Sequence, residues 1–214
     1  MSETRRLRGL YAVTPDETGD ERLAALAGQV LAGRPALLQY RNKLAGPSQR
    51  RAQAAALLDL CRAAGVPLII NDDLALALDI GADGVHLGRD DGDLAAARRA
   101  LGSGRILGVT CYADLERARA GAAAGVDYVA FGAMFLSSTK PTAPPAPFAL
   151  LSRAKAEFGL PVAAIGGITL DNAAQVAAAG ADLIAVVGDV FAAPDPAARA
   201  AGYRALFQAE PGLA

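Results

Sequence analysis

Three polar side chains with the spacing Gln39-x-Arg41-x-Lys43 close an apolar run that begins at Ala36. Alternation along a strand would put these three side chains on the same side of the chain. One amide and two cations grouped in this way could bind an anion such as a phosphate or a diphosphate. The alternative is a solvated strand end, where basic residues are common.

Acidic residues follow the next two apolar runs. Asp72 and Asp73 come just after the run at 67–70, and Asp91 follows the run at 84–87. Mg2+ prefers a few carboxylates together with phosphate oxygens of a substrate. We therefore predict that Asp72 and Asp91 bind Mg2+. Asp73 is expected to cap the following helix instead, a role that is also the alternative for Asp91.

Later segments could bind further phosphate groups. Ser137, Thr139 and Lys140 lie in one loop and offer two hydroxyls and an ammonium group. Gly167 and Gly188 follow the last two apolar runs, and glycine allows backbone N–H groups to approach a phosphate closely. The paired Gly166-Gly167 is a weak signal alone and a stronger one together with Gly188.

The sequence contains one histidine and two cysteines. His86 lies within an apolar run, so we predict a structural role for it. A single histidine without an acid-flanked serine or cysteine argues against a Ser-His-Asp or Cys-His mechanism. Cys61 and Cys111 form no CxxC motif, which fits a reducing compartment.

The elements that must position these residues alternate regularly along the chain. Short runs rich in Val, Ile and Leu read as strands buried on both faces, and Ala-rich helical segments lie between them. Eight such units in 214 residues favour a closed (β/α)8 TIM barrel over an open doubly wound sheet. We predict a single barrel domain over residues 1–214, with its chemistry at the C-terminal strand ends. The eight runs span 9–14, 36–41, 67–70, 84–87, 106–109, 128–131, 162–165 and 183–187.

Repeated glycine junctions support this alternation. Gly65, Gly81, Gly125 and Gly180 each stand after a helical segment and before an apolar run. Glycine suits the left-handed conformation that ends many helices. The junctions therefore predict where four of the helices end.

The overall composition limits the possible partners. A formal net charge of -1 gives no electrostatic reason to expect nucleic acid or an anionic membrane surface as a partner. No apolar run approaches the ~18 residues of a membrane span, and the N-terminal segment does not resemble a signal peptide. We expect a cytoplasmic protein, either a monomer or a homodimer.

Taken together, these motifs resemble the thiamine phosphate synthase family from Tyr11 to about Phe207. The short motifs are individually common, but their order and spacing are specific. The resemblance rests on Gln39-x-Arg41-x-Lys43, Asn71-Asp72-Asp73, Gly84-Val85-His86-Leu87-Gly88 through Asp91, Gly108-Val109-Thr110, Thr139-Lys140, and Ile165-Gly166-Gly167-Ile168 with Asn172. It implies an enzyme that joins hydroxymethylpyrimidine diphosphate to thiazole phosphate, forming thiamine phosphate and releasing pyrophosphate.

The resemblance also implies a role for each candidate residue. Asp72 and Asp91 would hold Mg2+, and Gln39 would contact the pyrimidine. The diphosphate would be bound by Arg41, Lys43, Asn71 and Lys140, with Thr110 nearby, and Arg41, Lys43 and Lys140 would be catalytic. The thiazole phosphate would be bound by Ser137, Thr139, Gly167, Val187 and Gly188.

Some positions depart from the family pattern, and two other functions stay open. Arg89 stands where the family often has Gln, and Leu136 replaces a frequent Pro. Thiazole tautomerase relatives share the barrel but need an acid/base residue, and Cys111 stands where a histidine would be expected for that chemistry. A non-catalytic barrel that binds a phosphorylated ligand would keep the glycine loops but would not need two metal-binding carboxylates.

Overall fold

The computed structural model describes residues 7–135 and 146–208. Eight parallel strands in this part of the chain form a closed barrel, each hydrogen-bonded to its neighbours in chain order. The last strand pairs with the first through Gly9–Leu183 and Tyr11–Ala185. The predicted (β/α)8 barrel is therefore confirmed. The strands are β1 Gly9–Val13, β2 Leu37–Tyr40, β3 Leu68–Asn71, β4 Gly84–Leu87, β5 Ile106–Tyr112, β6 Tyr128–Gly132, β7 Val162–Ile165 and β8 Leu183–Val186.

Helices connect successive strands and cover the outside of the barrel. Within the described residues, none of them is both long enough and apolar enough to cross a membrane. The helices are α1 Asp20–Ala32, α2 Pro47–Ala64, α3 Leu74–Ile80, α4 Leu94–Leu101, α5 Leu115–Ala124, α6 Ala149–Phe158, α7 Leu170–Ala178, α8 Gly188–Phe191 and α9 Pro196–Gln208.

Alternation along the strands divides the core into two parts. One cluster, which includes Leu10, Leu38 and Val85, packs between the strands and the helices. The second, which includes Tyr11 and Tyr128, fills the inside of the barrel. Such interior filling by side chains from different strands is usual for this fold. The interior is unusual in carrying polar side chains as well, because Gln39 and His86 are both buried.

The ends of the helices follow local chemistry that the sequence predicted. Gly65, Gly81 and Gly125 adopt left-handed conformations with φ between 67° and 79°. Gly180 differs, because it follows the αR C-cap Ala179 and has a φ of 111°. The predicted cap role of Asp73 is confirmed, since its Oδ1 accepts a hydrogen bond from the Leu76 amide at 2.9 Å.

The second strand is shorter than the apolar run that predicted it. β2 ends at Tyr40, and Arg41 lies beyond it. The Thr14 hydroxyl explains this end, because it accepts from the Arg41 amide at 2.9 Å and donates to the Arg41 carbonyl at 2.8 Å. Strand alternation therefore does not continue from Gln39 through Arg41 to Lys43.

Candidate functional site

Two carboxylates meet at the C-terminal ends of β3 and β4. Asp72 has a left-handed backbone with a φ of 62°, and its amide donates to the His86 carbonyl at 2.8 Å. Asp91 is held by the Gly88 amide, which donates to its Oδ2 at 2.6 Å. Asp91 does not cap α4, because Asp93 accepts the capping hydrogen bond from Ala96. Asp91 is therefore free of the helix-capping role.

Burial and like charge raise the pKa of Asp72 to about 6. The largest cause is burial of the carboxyl, and the neighbouring Asp91 carboxylate adds to it. A hydrogen bond from Asn71 and the positive charge of Lys43 act in the opposite direction. Two adjacent carboxylates repel each other and destabilise the folded protein unless a cation or a shared proton offsets their charge. The pair is therefore chemically suited to a hard cation.

A cavity of about 530 Å³ opens beside this pair. Its polar lining brings together four of the predicted site residues, because Lys43, Asn71, Asp72 and Asp91 all line it. Arg50, in the first turn of α2, lines the same cavity and adds a second positive charge. The arrangement can hold an anion and a divalent cation next to each other.

Arg41 lies at the same end of the barrel but has a partner of its own. Its Nη1 is 3.1 Å from both carboxylate oxygens of Asp16, and about a third of each side chain is exposed. Asp16 also accepts a hydrogen bond from the Lys43 amide at 2.6 Å. Partial burial acts to raise the pKa of Asp16, but the Lys43 amide and the Arg41 charge outweigh it and lower the pKa. Asp16 thus fixes the loop that carries both cations.

A chain of hydrogen-bonded side chains crosses the inside of the barrel. Gln39 Nε2 donates to the Tyr11 hydroxyl at 2.5 Å, and Tyr11 is 2.6 Å from the Tyr128 hydroxyl. Tyr128 is 2.9 Å from His86 Nδ1, and His86 Nε2 is 2.7 Å from Thr110 Oγ1. Two residues with predicted ligand contacts, Gln39 and Thr110, therefore form the ends of one buried chain.

The fold makes room for this chain with a glycine. A Cβ on Gly108 would overlap the Tyr128 ring, which stacks on the His86 imidazole with 5.5 Å between ring centroids. Burial lowers the pKa of His86 to about 4 and raises the pKa of both tyrosines. All three side chains are therefore neutral near pH 7.

Arg117 ties the ends of β4 and β5 together. Its Nε donates to the Thr110 carbonyl at 2.6 Å, and its Nη2 donates to the Gly88 carbonyl at 2.5 Å. These two bonds join a carbonyl of β5 to a carbonyl of the loop that follows β4. Arg117 consequently fixes the position of Thr110 relative to the loop that carries Asp91.

The glycine loops lie at the ends of β7 and β8. Gly166 and Gly167 both have positive φ, 104° and 65°, and a Cβ on Gly166 would lie 2.5 Å from the Cβ of Ala133. Val187 and Gly188 begin the short helix α8, whose first N–H groups have no partner within a helix. Backbone N–H groups of this kind can bind a phosphate.

Three predicted site residues cannot be compared with these positions. Ser137, Thr139 and Lys140, together with Leu136, lie outside the residues that the structure describes. Their predicted contacts stay predictions. Arg89, which stands where the family often has Gln, lies within the described residues. Its guanidinium is 4.9 Å from the centre of the Tyr112 ring at the end of β5.

Four residues that shape the site were not predicted from the sequence: Tyr11, Tyr128, Asp16 and Arg117. Tyr11 and Tyr128 stand in apolar strand runs, where each phenol needs a buried hydrogen-bond partner. This requirement could have identified both tyrosines as members of a buried hydrogen-bonded group. Asp16 and Arg117 carried no comparable signal, because Arg41 lies 25 residues from Asp16 and Gly88 lies 29 residues from Arg117 along the sequence.

Comparison with known proteins gives a consistent family. A family model described as thiamine monophosphate synthase matches residues 10–190. A thiamine-phosphate synthase from Aromatoleum aromaticum is 64% identical over 209 residues, covering 98% of this chain and 100% of that protein. One from an Azoarcus species is 62% identical over 202 residues, covering 94% of this chain and 98% of that protein.

Solved structures agree with the sequence relatives. Thiamine phosphate pyrophosphorylase from Pyrococcus furiosus superposes with a TM-score of 0.83 at 28% identity, covering 96% of this chain and 98% of that one. A 3-hexulose-6-phosphate synthase, at 22% identity and a TM-score of 0.68, shares the fold. The chain therefore belongs to the thiamine monophosphate synthase family.

Proposed function

We propose that this enzyme joins hydroxymethylpyrimidine diphosphate to thiazole phosphate, forming thiamine phosphate and releasing pyrophosphate. The observation that carries the proposal is the Asp72–Asp91 carboxylate pair in a cavity that Lys43 and Asn71 also line. A leaving diphosphate needs positive charge beside it, and this cavity provides cations and a cation-binding pair together.

Mg2+ fits the residues that are present. Among the described residues there is no group of three or more His, Cys, Asp or Glu side chains that could enclose a metal. Mg2+ commonly binds through one or two carboxylates together with substrate phosphates. Asp72 and Asp91 would hold it, and when bound it would offset the negative charge that develops on the departing diphosphate.

The side chains around the pair would orient the diphosphate. Lys43 and Asn71 line the same cavity as Asp72, so they can bind the diphosphate oxygens directly. Arg41 lies next to Lys43 in a loop fixed by Asp16, and it would add positive charge at the edge of the site. Lys140 has the same predicted role on a loop outside the described residues.

The reaction does not require a general base. The aminopyrimidine donates electrons to its methylene carbon, so the C–O bond can break before the new C–N bond forms. The attacking thiazole nitrogen has a free lone pair and no proton to lose. This agrees with a site whose histidine, His86, is buried and neutral. A thiazole tautomerase, by contrast, would need a residue that transfers a proton.

The thiazole phosphate would be bound by the backbone at the ends of β7 and β8. Gly167, Val187 and Gly188 offer N–H groups there, and Ser137 and Thr139 would add hydroxyls. Both substrates are small molecules. A cytoplasmic location and a monomeric or dimeric state stay predictions from the sequence.

Release of pyrophosphate tests the proposal. We expect release only when both substrates and Mg2+ are present, with thiamine phosphate formed in equal amount. Omitting either substrate, or chelating Mg2+, provides the controls. Binding of thiazole phosphate without pyrophosphate release would favour a non-catalytic barrel, and isomerisation of the thiazole alone would favour a tautomerase.

A further inference from the structure

The orientation of the Gln39 amide sets one direction for the hydrogen bonds between the side chains inside the barrel. The NH2 group of Gln39 can only donate, so the Tyr11 oxygen accepts this bond. The Tyr11 proton is then available for Tyr128, 2.6 Å away. The Tyr128 proton is in turn available for His86 Nδ1, 2.9 Å away. Each phenol has one proton to donate, so the donor and acceptor roles at Gln39 fix those of the next hydrogen bonds as far as His86.

The same direction fixes the tautomer of His86. A neutral imidazole carries one proton, and an Nδ1 that accepts leaves this proton on Nε2. Nε2 then donates to Thr110 Oγ1 at 2.7 Å. The two contacts on opposite sides of the buried ring, which is 7% exposed, hold His86 in this tautomer.

The two ends of the chain consequently offer defined groups to a ligand. At one end the Gln39 amide has its NH2 group bound to Tyr11, and its Oε1 has no hydrogen bond to any described residue. At the other end Thr110 accepts from His86, so its own proton is available to a ligand oxygen. Gln39 is buried, with 5% of its surface exposed, so a bound ring that failed to pair with Oε1 would leave it unsatisfied.

We propose that Tyr11 and Tyr128 are specificity-determining residues that hold the Gln39 amide with its oxygen as the acceptor, so that the site selects a pyrimidine with an exocyclic amino group over its oxo analogue. This inference rests on the proposed function, because it takes the pyrimidine as the ligand of Gln39. An amino group donates to Oε1. An oxo group would need Gln39 to turn its NH2 group towards the ligand and give up its bond to Tyr11.

Removing the Tyr128 hydroxyl should release this constraint. In Tyr128→Phe the Tyr11 proton loses its acceptor and can be donated to Gln39 Oε1 once the amide has turned. In Tyr11→Phe the amide loses its partner altogether. Either change makes the two amide orientations more nearly equal in energy, so the preference for the amino ligand should decrease.

Binding tests this more directly than turnover, because the amino group also donates electrons during the reaction. The probes are 5-(hydroxymethyl)-2-methylpyrimidine monophosphates that carry either a 4-amino or a 4-oxo group. Calorimetry gives the ratio of their two Kd values. We expect the wild-type protein to bind the amino ligand about 10- to 100-fold more tightly, and this ratio to fall by about 10-fold in each variant.

Tyr203→Phe is the matched control. Tyr203 is also fully buried, and its hydroxyl donates to Asp189 at 2.7 Å. It takes no part in the hydrogen bonds that link Gln39 to Thr110. Its loss should lower the melting temperature comparably and leave the ratio unchanged.

If Tyr11→Phe does not fold, Tyr128→Phe decides the question. A wild-type ratio near one, or an unchanged ratio in a folded Tyr128→Phe protein, would overturn the inference. Failure of the proposed function is distinguishable, since it appears as absent pyrophosphate release in the wild-type protein.

Discussion

The Gly88 amide donates a hydrogen bond to Asp91 Oδ2 at 2.6 Å, so the loop after β4 binds one of its own carboxylates. Gly88 also lies beside both carboxylates of the pair. A Cβ added there would lie 2.6 Å from Asp91 Oδ2 and 3.7 Å from Asp72 Oδ1. The position thus leaves no space for a side chain between the backbone and the carboxylate pair.

Gly88→Ala should therefore displace the Asp91 carboxylate without unfolding the barrel. We expect the Mg2+ concentration for half-maximal activity to rise by about 10-fold or more, since two carboxylates are the proposed protein ligands. Gly104→Ala is the control, because nothing lies within 4 Å of a Cβ at Gly104. Steady-state assays over a range of Mg2+ concentrations measure the effect, and equal Mg2+ dependence in both variants would contradict the prediction.

Asp72→Ala and Asp91→Ala should each remove most turnover while the protein stays folded. Each variant leaves Mg2+ with one protein carboxylate, and each also relieves the repulsion within the pair. Asp114→Ala is the matched control, because Asp114 caps α5 and is not among the residues that line the cavity, so its loss should cost ~1 kcal/mol of stability with turnover retained. Near-wild-type turnover of either site variant at saturating Mg2+ would rule out the metal assignment.

His86 should make stability depend on pH. Its pKa falls from an ordinary 6.5 to about 4 on folding, so the unfolded chain binds a proton more readily. Its contribution to stability is complete above pH 6.5 and is lost as the pH falls towards 4, by roughly 3 kcal/mol at most. Urea unfolding of wild-type and His86→Gln proteins, each without Mg2+, measures the difference.

The comparison with His86→Gln is needed because Asp72 changes the stability with pH in the opposite direction. Its raised pKa, about 6, gives stability that is present at low pH and is lost as the pH rises through 6. This contribution is common to both proteins and cancels in their difference. Equal slopes of stability against pH between 4 and 6.5 would show that His86 does not titrate as the buried chain requires.

Removing a cation from the cavity should slow the reaction more than it weakens substrate binding. Lys43→Ala is expected to lower kcat by roughly 10- to 1000-fold, since the negative charge on the leaving group grows in the transition state. Lys155→Ala is the control, because Lys155 pairs with Asp182 at the N-terminal end of β7. Steady-state kinetics with each substrate varied in turn separate kcat from KM, and a change confined to KM would contradict this role.

The loop outside the described residues allows a parallel test. Lys140→Ala should lower kcat, whereas Ser137→Ala should mainly raise the KM for thiazole phosphate, by about 10-fold for one lost hydrogen bond. The phosphate of that substrate does not change its charge during the reaction. An effect of Lys140→Ala on the KM for thiazole phosphate alone would show that the proposed division of roles is wrong.

The sequence by itself determined the architecture of this protein. Apolar runs buried on both faces, Ala-rich helices and glycine junctions are local patterns, and a closed barrel is the arrangement that buries all of them in a chain of this length. Helix caps such as Asp73 were predictable for the same reason, because the partner lies three residues away. The order of the short motifs was sufficient to indicate the family.

Only the tertiary structure decided which side chains meet. Strand alternation placed Arg41 with Gln39, but the Thr14 hydroxyl ends β2 and Arg41 pairs with Asp16 instead. His86 read as a structural strand residue, yet it is the link between Tyr128 and Thr110. Barrel closure sets these contacts, since it brings β1 to within hydrogen-bonding distance of β6 across the interior, 117 residues away along the chain. No local pattern encodes a distance of that kind.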